Sequence, residues 1–229
     1  MKLEGLKINF LGDSITQGIK IEDPENTVFH AVLKRKANLA AARNYGISGT
    51  RFAIQKGTPE RPKDNYVDVL SFSERFHEMD DDADVVVVFG GTNDYGHGDA
   101  PLGGFSDRTP ETFYGACHYL FRGLIQKYLG KPIVIVTPLH RIYETRNCGE
   151  YKVDQPPMPY VYGTLKEYVD IIREVAEYYS LPVLDFFATS GLQPDIPEIK
   201  EAFMPDGLHP NERGHEILAD KMKSFLEAL

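Results

Sequence analysis

The chain has 229 residues, 42% of them hydrophobic, and its 34 acids outnumber 25 Lys and Arg to give a net charge of −9. That balance excludes the clustered basic face of a nucleic-acid binder, and no segment approaches the ~18 unbroken apolar residues of a membrane span. Cys117 and Cys148 are too few for a disulfide framework and share no metal-ligand spacing, so both are expected to be reduced.

Leu6 to Leu11 is a nearly unbroken apolar run that ends in Gly12-Asp13-Ser14, which predicts the first, doubly covered strand of a parallel sheet. Met1–Gly5 lead straight into it without an apolar stretch and small-residue cleavage site, so a cytoplasmic protein is expected. Val28, Phe29, Val32, Leu33 and Leu39 recur at helical spacing. Ala41 to Tyr45 reads as strand two, running into the turn Gly46-Ile47-Ser48-Gly49, and Lys56–Asn65 reads as a loop. Val67, Leu70, Phe72, Phe76 and Met79 predict a helix that ends before Asp80. Asp84–Phe89 is the clearest strand, β-branched and entering Gly90-Gly91. Thr109-Pro110-Glu111 reads as a helix start, with Phe113, Cys117, Leu120, Phe121, Leu124 and Tyr128 as its buried stripe. Pro132–Pro138 is strand four, and after a long loop Leu165 to Val175 form another helix. Leu181–Asp185 is a short fifth strand, and the last helix starts near Asn211. Alternating strands and helices predict an α/β fold: one domain over 1–229, a five-stranded parallel sheet in the order 2-1-3-4-5 with helices on both faces.

Four polar turns fall at the expected carboxyl edge: Gly12-Asp13-Ser14, Gly46–Gly49, Gly90-Gly91-Thr92-Asn93-Asp94 and Asp206-Gly207-Leu208-His209. Cleaving an ester needs a nucleophile, a base, a group to orient that base, and donors for an oxyanion. Ser14 supplies the hydroxyl, His209 the base, and Asp206 an acceptor for the other ring nitrogen. The N–H groups of Ser14 and Gly49 and the amide of Asn93 are candidate oxyanion donors, with Gly46 competing for the place of Gly49. Each turn alone has an ordinary reading, as a bend or a helix cap. It is the ordered set that points to catalysis.

Gly-Asp-Ser-Ile, the glycine turn after strand two, Gly-Thr-Asn-Asp and Asp-x-x-His, in that order from residue 12 to 209, resemble the SGNH, or GDSL-type, hydrolases. The resemblance implies a three-layer α/β/α sandwich. It also implies a Ser14-His209-Asp206 triad, an oxyanion hole of Ser14, Gly49 and Asn93, and no metal or cofactor. A serine esterase for short-chain carboxylic esters, such as O-acetyl groups on a sugar or other polar acceptor, is the function it implies. An acyltransferase or thioesterase with the same triad, or a non-catalytic glycan-binding module, are the rivals. The partner expected is a small-molecule ester rather than nucleic acid or membrane.

Other candidates read as structural. His77 with Asp80, Asp81 and Asp82 is a solvated acidic turn rather than a metal site. Gly12–Gly18 lacks the Gly-Lys-Ser/Thr of a phosphate loop, and Thr16 stands where a Gly-x-Ser-x-Gly elbow needs glycine. His118 is a helix residue. The connections from Gly91 to Arg108 and from Leu139 to Tyr160 are longer than compact domains usually keep without function. They hold tyrosines, histidines and arginines, among which Tyr95, His97 and Arg141 are the expected substrate contacts.

Overall fold

In a computed structural model of the chain, residues 1–54, 71–97, 100–144 and 162–229 are described. The expected loop Lys56–Asn65, the front of the helix expected from Val67, Cys148 and most of the connection after Leu139 lie outside them. Five parallel strands form one sheet in the order β2-β1-β3-β4-β5. They are β1 (Lys7–Gly12), β2 (Ala41–Gly46), β3 (Val85–Phe89), β4 (Ile133–Val136) and β5 (Val183–Leu184). Right-handed crossovers through helices are what impose such an order on consecutive parallel strands. The register aligns Gly12 with Gly46 and Phe89, Phe89 with Val136, and Val136 with Leu184, so all five strands end on one level. Whatever follows each strand therefore emerges along one edge.

The helices are α1 (Ser14–Gln17), α2 (Pro24–Thr27), α3 (Phe29–Ala37), α4 (Phe72–Arg75), α5 (Thr92–His97), α6 (Phe113–Lys127), α7 (Leu165–Tyr178), α8 (Phe186–Thr189), α9 (Pro197–Phe203) and α10 (Glu212–Ala228). Alternate residues of the central strands face opposite layers. Leu11, Val86, Val88 and Ile135 join α6 and α7 in one core, whereas Ile8, Phe10, Val85, Val87 and Val134 join α3 and α10 in the other. Because both faces are covered, β1 and β3 carry no solvent-facing polar alternation. The exception, Asn9, is satisfied within the fold: its amide donates to the Asp80 carbonyl at 2.8 Å and the Tyr128 hydroxyl at 3.2 Å.

Two expected boundaries are corrected. The helix expected through Met79 is, in its described part, only α4 followed by a 3-10 turn at Phe76–Glu78. Ser71 and Glu74 form a reciprocal capping box there, which starts a new helix at Phe72. The helix expected to start at Thr109-Pro110 begins at Phe113. The Pro110 carbonyl is taken by Ile54 N–H at 2.8 Å, and Thr112 caps instead, accepting from Gly115 N–H at 3.1 Å. The short helices α1, α2, α5, α8 and α9 have no counterpart in the periodicity because four to seven residues hold too few turns to show one. No described helix is long and apolar enough to cross a membrane.

Two buried histidines stand on α3 and α10. His30 Nε2–H donates to the Thr16 carbonyl at 3.0 Å, and His215 Nδ1 accepts from Phe29 N–H at 3.3 Å with its ring stacked on Phe29. Both are held neutral: burial pushes His30 down to about 4 and His215 down to about 3. Since these values lie below the unfolded value near 6.5, the unfolded state binds protons first. Their stabilising contribution is full above that value and is lost as pH falls toward the folded values, by roughly 2 kcal/mol each at pH 4.5. The urea midpoint should therefore drop between pH 7.5 and 4.5, and less steeply in a His30→Gln/His215→Gln variant. A variant with the parental slope would assign acid lability elsewhere.

Candidate active site

Ser14 is the first residue of α1, directly beyond β1. Asp13 caps that helix, its carboxylate accepting from Ile15 N–H at 3.0 Å, and Gly18 closes it in the left-handed region. The short helix lies hard against the sheet edge. A Cβ on Gly12 would stand 1.9 Å from Thr16 Oγ1, and one on Gly46 would stand 2.3 Å from the Gln17 backbone nitrogen. Both glycines are thus required by close approach. Burial pushes the Asp13 carboxyl up to about 6, against its backbone hydrogen bond and the nearby His209, Arg75 and Arg141.

The Asp206–His209 turn precedes α10, whose own cap is Asn211. Asp206 Oδ1 accepts from the N–H groups of Leu208 at 2.9 Å and His209 at 2.7 Å, folding the turn so that the imidazole and carboxylate face each other. His209 Nδ1 then lies 2.7 Å from Asp206 Oδ2, and Nε2 lies 2.9 Å from Ser14 Oγ. Burial raises the proton affinity of Asp206, but the hydrogen bonds from His209, Lys20 and the turn outweigh it and hold the carboxyl far below its usual range. An ionised carboxylate only accepts, so Nδ1 carries the proton and Nε2 is left to accept from the Ser14 hydroxyl. A hydroxyl and an imidazole 195 positions apart in the sequence meet at this edge.

Asn93 sits in the first turn of α5, and its Nδ2 donates to the Thr50 carbonyl at 3.0 Å. One amide hydrogen fixes the orientation of the group while the second stays available. Asp94 beside it is fully buried and accepts from the N–H groups of Phe52 and Ala53, each at 3.0 Å, which ties the turn after β2 to the turn after β3. The two candidate glycines differ in their hydrogen bonding. Gly46 N–H donates to Asn44 Oδ1 at 2.8 Å, whereas the N–H groups of Gly49 and Ser14 make no hydrogen bond among the described residues. Gly49 has φ +77°, which a side chain would strain.

Of the expected substrate contacts, His97 ends α5 and is half-buried. Tyr95 and Arg141 are both buried. The Tyr95 hydroxyl donates to the Tyr143 carbonyl at 2.8 Å, and Arg141 Nη1 donates to the carbonyl and hydroxyl oxygens of Thr92 at 3.2 Å while its guanidinium lies over the Tyr95 ring. They clamp the segment after β4 onto α5. Ile142 N–H in that segment donates to the Gly207 carbonyl at 3.0 Å, so the clamp also reaches the turn that bears His209. Phe105 and Arg108, from the long connection after Gly91, pack against His118 and Tyr178 on α6 and α7. The acids Asp80 to Asp82 pair with Arg43, Lys7 and Lys127, and no group of potential metal ligands occurs among the described residues.

Two contributors carried no sequence signal. Arg75 is buried and donates to the Tyr45 carbonyl at 2.5 Å, the Gly12 carbonyl at 2.6 Å and Thr50 Oγ1 at 3.2 Å, joining the ends of β1 and β2. Burial pushes its guanidinium down to about 10. Lys20, held at φ +68° after Gly18, places Nζ 2.6 Å from Asp206 Oδ2, the oxygen that also faces His209. The ammonium competes with the imidazolium for that carboxylate. Because the lysine side chain is 60% exposed, the competition is weak and screened. Lys20→Met should change kcat/KM on p-nitrophenyl acetate by less than about 3-fold at low salt and by nothing in ~1 M salt. A change that persists in salt would mean the variant had rearranged the turn.

The family model described as the GDSL-like lipase/acylhydrolase family matches residues 10–217. Among solved structures, one that is 33% identical covers 100% of this chain and 99% of its own, with a TM-score of 0.82. A protein from Lactobacillus plantarum, 28% identical with 98% of each chain covered, has a TM-score of 0.79. An acetyl xylan esterase, AlAXEase, is 22% identical over 96% of this chain and 98% of its own, with a TM-score of 0.58, a likeness of fold. No curated protein matches the sequence.

Proposed function

The chain belongs to the GDSL-like lipase/acylhydrolase family, and on that premise we propose that it is a serine esterase for short-chain carboxylic esters, acetyl groups on a polar acceptor foremost. The observation that carries the reading is the continuous hydrogen-bonded path from Ser14 Oγ through His209 to Asp206, ending on a carboxylate held ionised. In this mechanism Nε2 of His209 takes the hydroxyl proton as Ser14 Oγ bonds to the ester carbonyl carbon. Asp206 stabilises the imidazolium without taking its proton. The carbonyl oxygen, now an oxyanion, accepts from the N–H groups of Ser14 and Gly49 and from the second amide hydrogen of Asn93. The alcohol leaves with the proton from His209, and water, deprotonated by the same nitrogen, returns the acyl group as a carboxylic acid.

Tyr95 and Arg141 act as positioning residues in this account. Their polar groups are engaged within the chain, and what they position is the segment that braces the Gly207 turn. The preference for a small acyl group on a polar alcohol draws on the polar residues around the edge and on the fold shared with an acetyl xylan esterase. A panel of p-nitrophenyl acetate, butyrate and octanoate, with acetylated sugars, tests it. Rates should fall with chain length, and free acetate should appear from the sugars. Faster cleavage of octanoate, or transfer of acetate to an added alcohol in preference to water, would overturn the substrate class or the hydrolytic outcome respectively.

A further inference from the structure

The turns that carry the candidate oxyanion donors follow three different strands, yet the short helix α4 touches all of them. Phe72 N–H donates to the Arg51 carbonyl at 2.7 Å and the Ser73 hydroxyl to the Phe52 carbonyl at 2.7 Å, which docks α4 on the residues just after Gly49-Thr50. A Cβ on Gly90 would stand 2.5 Å from the Phe72 ring, so the turn after β3 is close-packed on the same helix. Arg75 completes the set. Its guanidinium lies over the Phe72 ring, with Nη1 on the Tyr45 carbonyl and Nη2 on the Gly12 carbonyl and Thr50 Oγ1.

Stability alone gives no reason for a charge in this place. Arg75 is buried, Asp13 and Glu78 act on it only through space, and its Nε has no hydrogen-bond partner. A buried guanidinium without a paired acid costs free energy that an apolar side chain would not. What the guanidinium alone provides is a planar fork, two nitrogens at fixed separation that meet the carbonyls of two neighbouring strand ends. Gly12 stands two residues before Ser14, and Thr50 directly follows Gly49. The Thr50 hydroxyl donates onward to the Ile47 carbonyl at 2.7 Å, and the Thr50 carbonyl accepts from Asn93. Ile47 N–H donates to the Gly12 carbonyl, Ser48 N–H to Gln17 Oε1 and Thr50 N–H to the Ile47 carbonyl. Among the described residues, every N–H from Ile47 to Thr50 is thereby engaged except that of Gly49.

We infer that Arg75 is a positioning residue of the oxyanion hole. Its fork sets the spacing between the Ser14 N–H, delivered by β1, and the Gly49 N–H and Asn93 amide, delivered by the turn it holds through Thr50. The inference rests on the esterase reading and adds to it a residue that hydrogen-bonds to no member of the triad. Oxyanion donors act only within about 2.7–3.1 Å of the charged oxygen, and a misplacement of about 1 Å can cost about 10²-fold in rate. A lysine would keep the charge but offer one nitrogen, which cannot stand where Nη1 and Nη2 both stand.

Arg75→Lys in the intact protein tests the inference, with rates on p-nitrophenyl acetate read well below each melting temperature. kcat should fall roughly 10–100-fold with KM within about 2-fold of the parent. Affinity for phenylboronic acid, which becomes a tetrahedral adduct on the Ser14 oxygen, should weaken by a similar factor. The acid limb of the pH profile should stay at the parental pH, because the charge is kept and the path from Ser14 to Asp206 is untouched. In an Asn93→Ala background Arg75→Lys should cost less than it does alone, since both disarm one hole. Thr50→Val removes the hydroxyl link and leaves the guanidinium in place. It should give the same kcat-selective loss at a smaller size, roughly 3–10-fold, and serves as the test if Arg75→Lys does not fold. Parental kcat in folded Arg75→Lys and Thr50→Val, a loss confined to KM, or unchanged boronate affinity beside a lowered kcat would overturn the inference while the esterase reading stands. Absence of ester cleavage by the parent would overturn that reading, and the inference with it.

Discussion

Replacing Ser14 with alanine should lower kcat on p-nitrophenyl acetate by roughly 10⁴–10⁶-fold, to a residue that comes from the oxyanion donors and binding alone. The magnitude follows from the geometry, because the hydroxyl removed is the atom that attacks and no other hydroxyl among the described residues is hydrogen-bonded to His209. Stability should barely move. Ser14 occupies the first position of α1, whose cap is provided by Asp13, and the substitution leaves that cap and both flanking glycines in place. What is lost on folding is one partly buried hydrogen bond, about 1 kcal/mol or less. A melting temperature near that of the parent, beside a rate near background, separates loss of chemistry from loss of structure. His209→Ala should cost about as much, and the double variant scarcely more, since the pair acts as a unit. Loss of labelling by a fluorophosphonate in Ser14→Ala gives an independent readout. Equal rates for the parent and Ser14→Ala would remove the nucleophile from this account.

Much of the site is legible because its residues follow strand ends, and strand ends are what apolar runs reveal. Gly12-Asp13-Ser14 and Gly90-Gly91-Thr92-Asn93 each close a run that reads as a buried strand, so their placement on one edge follows from the sheet order alone. The turn at Asp206 is legible for a different reason. Its spacing lets one carboxylate bond the backbone of His209 with one oxygen and the imidazole with the other. The supporting residues have no such signature. Arg75 looks like one more charge on a short helix, yet it is buried, because its bonds go to carbonyls of β1 and β2 far away in sequence. Lys20 reaches Asp206 through a positive φ that no propensity announces at a lysine. Tyr95 and Arg141 show the converse. Their residue types suit a pocket, but a cation over an aromatic ring is equally a packing unit, and in the fold the two are buried one over the other.

Asn93→Ala carries the second large effect, an expected fall in kcat of ~10²–10³-fold with KM little changed. The amide has two hydrogens and two tasks. One bonds the Thr50 carbonyl at 3.0 Å and the other is left for an oxygen that becomes charged only in the transition state. A donor that strengthens as charge develops lowers the barrier without tightening substrate binding, which is why the loss belongs in kcat. Removing the amide also strips the Thr50 carbonyl of a buried donor, at a cost of about 1–3 kcal/mol in stability. Two outcomes can therefore be told apart. If Asn93 served only to hold the Gly49 turn, the defect should resemble that of Gly49→Ala, whose strained φ displaces the same turn, and both variants should raise KM along with lowering kcat. If Asn93 is itself a donor to the oxyanion, kcat falls at unchanged KM even well below the melting temperature, and adding Gly49→Ala deepens the loss. A KM-dominated defect in Asn93→Ala would move the residue from the reacting atoms to the scaffold.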